Sequence, residues 1–162
     1  MNTIIDRFTS IQQVIDSLGT QVTKYNWMLT DVDGNIPDRH LHYFDDVREF
    51  EEGWVYWIKG EQLIQFVHMP DVYFIWGVFS GFDSKQYITF EQLDVYPFAD
   101  GNAELWIESP HIQHRAAVCE LILWDSSHVL LLSKNSELTE QFRKAHPDWR
   151  SLEEYNRTNE LY

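Results

Sequence analysis

Residues 54–82, WVYWIKGEQLIQFVHMPDVYFIWGVFSGF, decide the fold of this chain. They gather Trp54, Trp57 and Trp76 with Phe66, Phe74, Phe79 and Phe82. Residues 54–58 and 63–68 are rich in β-branched and aromatic side chains, which predicts two strands. Lys59-Gly60-Glu61-Gln62 between them offers the positive φ of a tight hairpin. Met69-Pro70-Asp71 predicts a second turn, because proline lacks a ladder donor and biases its predecessor towards extended geometry. Residues 72–79 then run apolar on both sides. Val72, Phe74, Trp76 and Val78 share one face, and Tyr73, Ile75 and Phe79 the other. Such a strand is central and covered twice. Gly77 interrupts the second face, the usual mark of a bulge or a close approach. These rings read first as core. A carbohydrate or peptide cleft around Trp54 and Trp57 is the functional alternative.

Outward from that centre, residues 3–18 place Ile4, Ile5, Phe8, Ile11, Ile15 and Leu18 at helical spacing. Thr3 is the expected cap and Gly19 the stop. Residues 24–30 predict a strand with Tyr25, Trp27 and Leu29 on one side, followed by a turn at Asp31-Val32-Asp33-Gly34-Asn35. A short strand is expected at 40–44 and an extended run at 86–95, with one helical turn at 89–93 as the variant reading. Over 103–108, Ala103, Leu105 and Ile107 alternate with Glu104, Trp106 and Glu108, the pattern of a half-buried strand. Strands at 116–124 and 128–133 flank the turn Asp125-Ser126-Ser127. Ser136 is the expected cap of a helix through about Ala145, and Ser151-Leu152-Glu153-Glu154 is a capping box for a last short helix. The expected architecture is α+β: a mostly antiparallel sheet of about six to eight strands. An N-terminal helix and C-terminal helices pack on it, and residues 1–162 form a single globular domain.

The chain has 162 residues and a formal net charge of −14, from 26 acids against 12 bases. With 44% hydrophobic and 15% aromatic residues it is no disordered polyelectrolyte. Its acidity argues against nucleic acid or an anionic membrane as a direct partner, since each asks for a basic footprint. It has no apolar run of membrane-spanning length and no leader-like start, and its single cysteine allows no internal disulfide. A cytoplasmic location is therefore expected. Cys119, among apolar neighbours in a strand, reads as a buried inert thiol.

Motifs for chemistry are few. Asp31-Val32-Asp33-Gly34-Asn35 begins like a calcium loop, but the twelfth position is His42 where a bidentate Glu is needed. His40 and His42, with Asp38, would share one side of a strand. They form half of a possible metal site and carry the alternative reading of a metal-dependent or small-molecule enzyme. Asp125-Ser126-Ser127-His128 holds triad residue types in unsuitable adjacency. No phosphate-binding or dinucleotide glycine pattern exists, and no cofactor is expected.

The acids are not spread evenly. Residues 31–52 carry eight against Arg39 and Arg48, and residues 83–125 carry eight against Lys85 and Arg115. Asp45, Asp46, Glu49, Glu51 and Glu52 form one candidate partner-binding group. Glu104, Trp106 and Glu108, with Asp94 and Tyr96 nearby, form a second, an aromatic anchor among carboxylates. Such a surface would attract a basic protein.

The run Trp124-Asp125-Ser126-Ser127, the following HVLLLSKNSELTEQF and Ser151-Leu152-Glu153-Glu154-Tyr155 resemble the small single-domain immunity proteins of bacterial toxin systems. The resemblance covers about the last quarter of the chain and carries over no functional residue. It implies a non-enzymatic protein that neutralises a toxin domain, commonly a basic nuclease, by covering its active site with acids.

Overall fold

The computed structural model describes residues 1–8, 10–86 and 88–159. Thr9, within the expected 3–18 helix, and Tyr87, within the expected 86–95 run, lie outside the described residues. The fold is an α+β arrangement built on one eight-stranded sheet. The strands are β1 (Thr3–Ile5), β2 (Tyr25–Asn35), β3 (Asp46–Glu49), β4 (Trp54–Lys59), β5 (Tyr73–Asp83), β6 (Cys119–Trp124), β7 (His128–Ser133) and β8 (Arg150–Ser151). Their order across the sheet is β3-β4-β2-β5-β6-β7-β1-β8, and every pair is antiparallel.

Among the described residues four α-helices complete it: α1 (Ile11–Ser17), α2 (Gly60–Phe66), α3 (Ser136–Ala145) and α4 (Leu152–Thr158). Helices α1, α2 and α3 cover one face of the sheet. There Val14, Ile15, Leu63, Phe66, Leu138 and Phe142 pack on Trp27, Leu29, Phe79, Leu121 and Leu131. Residues 84–86 and 88–118, in the connection from β5 to β6, and α4 cover the other face. On it Met28, Val78, Phe82, Ile122 and Leu130 meet Ala99, Leu105, Ala117 and Leu152. Alternate side chains of each strand thus serve two separate cores.

Residues 63–68 are not a strand. Helix α2 runs through most of them, and Leu63, Phe66 and Val67 are buried at helical spacing. The topology demands this. β4 and β5 both run antiparallel to β2, which lies between them, so they are parallel to each other and need a crossover rather than a hairpin. Gly60 starts that crossover against the preceding turn, where an added Cβ would sit 2.1 Å from the Val22 carbonyl oxygen.

Other expected elements differ too: helix α3 is capped by Asn135 rather than Ser136, and residues 31–35 continue β2 rather than turn. Residues 3–18 divide into β1 and α1, whose N-cap is Ser10, accepting from the Gln13 amide. Ile4 and Ile5 point to opposite faces of the sheet and so satisfy both cores. The 40–44 segment is a 3-10 turn, Asp38–Tyr43. The 103–108 segment is also no strand: Ala103–Trp106 forms a 3-10 turn capped by Asn102, with Leu105 alone buried in it.

The 72–79 strand extends to Asp83, but its faces are not the expected ones. The β2–β5 register shifts between Thr30 and Asp33 and again between Asp33 and Gly34. The first irregularity lies on β2, where Asp31 has φ 49°. The second leaves Ile75 as an extra residue on β5 and turns Phe74 towards the helices, against Phe79, away from Trp76 and Val78. Gly34 allows this close crossing, since a Cβ there would lie 2.2 Å from the Tyr73 carbonyl oxygen.

Candidate functional site: the crossover face

The helix-free part of the second face is closed by a loop, and a loop must find partners for its backbone groups. Asp31, bulged out of β2, accepts from the Ala99 amide at 2.7 Å and the Asp100 amide at 2.9 Å. The Tyr96 hydroxyl accepts from the Asp31 amide at 2.8 Å and donates to the Trp54 carbonyl at 3.1 Å. Burial is the main cause of its raised pKa. Thr30 donates to the Pro97 carbonyl at 2.6 Å. The Asn102 amide group donates to the Phe98 carbonyl and to Gln113.

Glu120 is the most unusual anchor. It projects from the second position of β6 into the second core and is fully buried. One carboxyl oxygen accepts from the Gln113 amide at 2.9 Å and the His114 amide at 3.1 Å. Burial pushes its pKa up to about 7 against the pull of those amides. His114 is buried beside it against Phe82, with its Nδ1 accepting from the Ala116 amide. Burial lowers the His114 pKa, and Asp94, 3.6 Å from Nε2, opposes that shift.

Because this loop does not tile the sheet as helices do, it leaves depressions. The first, about 360 Å³, lies where the loop meets the β3–β4 edge. Asp45, Asp46, Trp57, Phe90 and Glu91 line it, together with Arg48 and Lys59. Arg48 lies 4.5 Å above the Phe90 ring and pairs with Asp46 at 3.0 Å and Glu91 at 3.5 Å. β3 is an edge strand, so one side of its backbone has no sheet neighbour. Glu49, Glu51 and Glu52 are exposed at and beyond its end. Asp45 and Asp46 thus line the groove, while Glu49, Glu51 and Glu52 are exposed at and beyond the far end of β3.

The second group is redistributed. Glu52, Asp94 and Tyr96 converge around a small cavity of about 50 Å³. Trp106 leaves that group and packs against Trp124, with centroids 4.8 Å apart. Glu104 is exposed on the 3-10 turn, and Glu108 is exposed 3.9 Å from Arg157. Glu104, Trp106 and Glu108 do not form one strand face, because the segment makes no ladder. Trp54 and Trp57 likewise occupy opposite faces of β4, so they form no common cleft: Trp54 is 48% exposed and Trp57 lines the edge groove.

The Asp38, His40 and His42 side chains do not converge either. On the 3-10 turn His40 is buried with Nε2 bonded to the Pro70 carbonyl, while His42 is exposed against Tyr43 and bonds the Arg39 carbonyl. Among the described residues no three His, Cys, Asp or Glu side chains are grouped to hold a metal ion. In the Asp125–His128 turn, Ser127 Oγ lies 2.9 Å from His128 Nδ1, and His128 Nε2 is 3.6 Å from Asp6. Ser127 Oγ also donates to the Trp124 carbonyl at 2.9 Å, which ties the hydroxyl to its own turn. Cys119 is buried, and burial raises its thiol pKa far above the reactive range.

In the sequence Asp31 and Asp125 stand out only within motifs that fail, and Asp100, Glu120, Trp76 and Trp124 carry no site motif. Glu120 had a signal: a lone charge inside the apolar run AAVCELILW. No known protein family matches the chain, and no curated protein or solved structure is detectably similar to it. Among the described residues no helix is long and apolar enough to cross a membrane.

Proposed function

We propose that this chain is a non-enzymatic binder of a basic protein, of the immunity type that neutralises a toxin domain, and that the acidic β3 rim is its docking edge. The observation that carries this reading is the coincidence of three features along one edge. Acids run the length of the edge strand, with Asp45 and Asp46 at the groove and Glu49, Glu51 and Glu52 exposed at and beyond its other end; the strand offers an unpaired backbone side, and Trp57 and Phe90 line the adjoining groove. Carboxylates steer a cationic partner and set its orientation, an edge strand can accept an added strand, and aromatic rings supply anchoring area. A toxin nuclease, whose own substrate is a polyanion, has the complementary charge.

The test is association with basic proteins captured from the source cells at low salt, compared with the triple variant Glu49→Lys, Glu51→Lys and Glu52→Lys. These three side chains are exposed, so the fold should survive the change. Association is expected to slow by about tenfold or more and to lose its salt dependence. Capture of the same proteins at an unchanged rate would sink the proposal.

A further inference from the structure

The crossover face holds a second depression, of about 390 Å³, away from the β3 rim. Its floor is aromatic. Trp76 from β5 and Trp124 from β6 meet edge to face, with centroids 4.8 Å apart and planes at 66°. Both are half-buried, so indole surface remains open to the cleft. Its rim is acidic: Asp100 on the loop and Asp125 at the tip of the β6–β7 turn are exposed lining residues. Among the described residues neither carboxylate is in an ion pair, and no Lys, Arg or His lines the cleft. The turn is held in place, since the Ser126 amide donates to the Ile75 carbonyl beside Trp76.

The chain twice builds the corresponding complete arrangement from its own residues. Arg48 lies 4.5 Å over Phe90 while paired with Asp46 and Glu91, and Arg150 lies 4.5 Å over Tyr155 while paired with Asp6. In both, a guanidinium takes an aromatic face and a carboxylate together. The Trp76–Trp124 cleft presents the aromatic face and the carboxylates without a cation from its lining. We infer that this cleft is a receptor for the guanidinium of an arginine side chain on a protein partner. A planar cation suits it for two reasons: it stacks on indole, and its donors form paired bonds to carboxylates. The inference rests on the basic-protein reading only for the source of that arginine.

The probe is the blocked peptide acetyl-Gly-Arg-Gly-amide, with its citrulline counterpart as a neutral control of the same shape. The readout is the indole N–H resonances of Trp76 and Trp124, assigned with Trp76→Phe and Trp124→Phe. The arginine peptide is expected to move both resonances saturably in the millimolar range, where a single small contact set belongs. The citrulline peptide should leave them in place. Asp100→Asn with Asp125→Asn should weaken binding by about fivefold or more while the rest of the spectrum stays unchanged.

An equal response to citrulline, an undiminished response in the double variant, or no saturable shift at about 20 mM peptide would overturn the inference. The two readings fail separately. Loss of the peptide response with salt-sensitive capture intact removes the arginine receptor alone. Loss of capture with the peptide response intact removes the basic-protein reading and leaves the cleft.

Discussion

The two faces of the sheet are closed by different physics. On the helical face, α1, α2 and α3 satisfy their own backbones and present apolar side chains, so one continuous core of Leu, Ile, Val and aromatic residues forms. On the crossover face, residues 84–86 and 88–118 cannot fully satisfy themselves. Asn102 bonds within the loop, the ties to the sheet come from Asp31, Thr30 and Glu120 and from the Tyr96 hydroxyl, and the core there divides into two clusters. The lesson is about where a small protein has room to recognise something. Both faces keep depressions, including one of about 460 Å³ between α1 and the end of α3, but on the crossover face an anchored loop and its polar ties shape the rims.

The comparison can be broken most directly through stability. Phe79→Ala removes a fully buried ring from the helical core and should cost about 3–5 kcal/mol in denaturant unfolding. Asp31→Ala should cost less, about 1–3 kcal/mol, by leaving the Ala99 and Asp100 amides unpaired and a non-glycine residue at φ 49°. Its signature is local. Hydrogen exchange should accelerate over residues 96–102 and stay slow in β6 and β7, and Asp31→Asn should recover part of the loss. Equal, global effects of the two substitutions would mean that the faces are not separate units.

A pH titration reports on the crossover face through two of its buried groups, Glu120 and His114. Between its ordinary value near 4.5 and about 7, Glu120 holds a proton in the folded chain and loses it in the unfolded one. Folding stability contributed by this group therefore falls as pH rises through that interval and is level above it. His114 acts in the opposite sense. Its folded pKa lies below 6.5, so its contribution rises with pH up to that value. The stability of the wild type minus that of Glu120→Gln should fall from pH 4.5 to 7 and then flatten. A flat difference throughout would mean that Glu120 is ionised when folded. The smallest expected effect is at Lys24–Glu137, an exposed pair 3.2 Å apart, where Glu137→Gln should change stability by less than about 1 kcal/mol.

Much of the architecture could be read from residues alone. The apolar runs that became β6 and β7, the Asp125 turn between them and the Ser151 cap are short-range features, and the structure has them in place. The failures share a cause: the deciding partner is remote in sequence. Leu63-Ile64-Gln65-Phe66-Val67 is apolar enough for either period, and only the parallel relation of β4 and β5 makes it a helix. Leu105 alternates with polar neighbours as a strand would, yet the loop that carries it lies across the sheet rather than in it. Asp31-Val32-Asp33-Gly34-Asn35 has the composition of a turn, but it is a bulged continuation of β2 whose Asp31 holds a loop nearly seventy residues away. Of the candidate surface, the 45–52 acids were legible because they are contiguous. The Trp76–Trp124 cleft was not, since its walls come from separate strands and its rim from two loops.

The placement of β1 has a consequence in time rather than in space. This three-residue strand lies between β7 and β8, joining Thr3 to Leu131 on one side and to Ser151 on the other. Closing such distant pairs costs loop entropy before any contact compensates for it, so this side of the sheet should assemble late, after the rate-limiting step. Ile4→Val should then accelerate unfolding while leaving refolding nearly unchanged, and a chevron whose refolding arm moved instead would put β1 in the nucleus. A strand that joins last is also the one whose release first bares the neighbouring β7 edge.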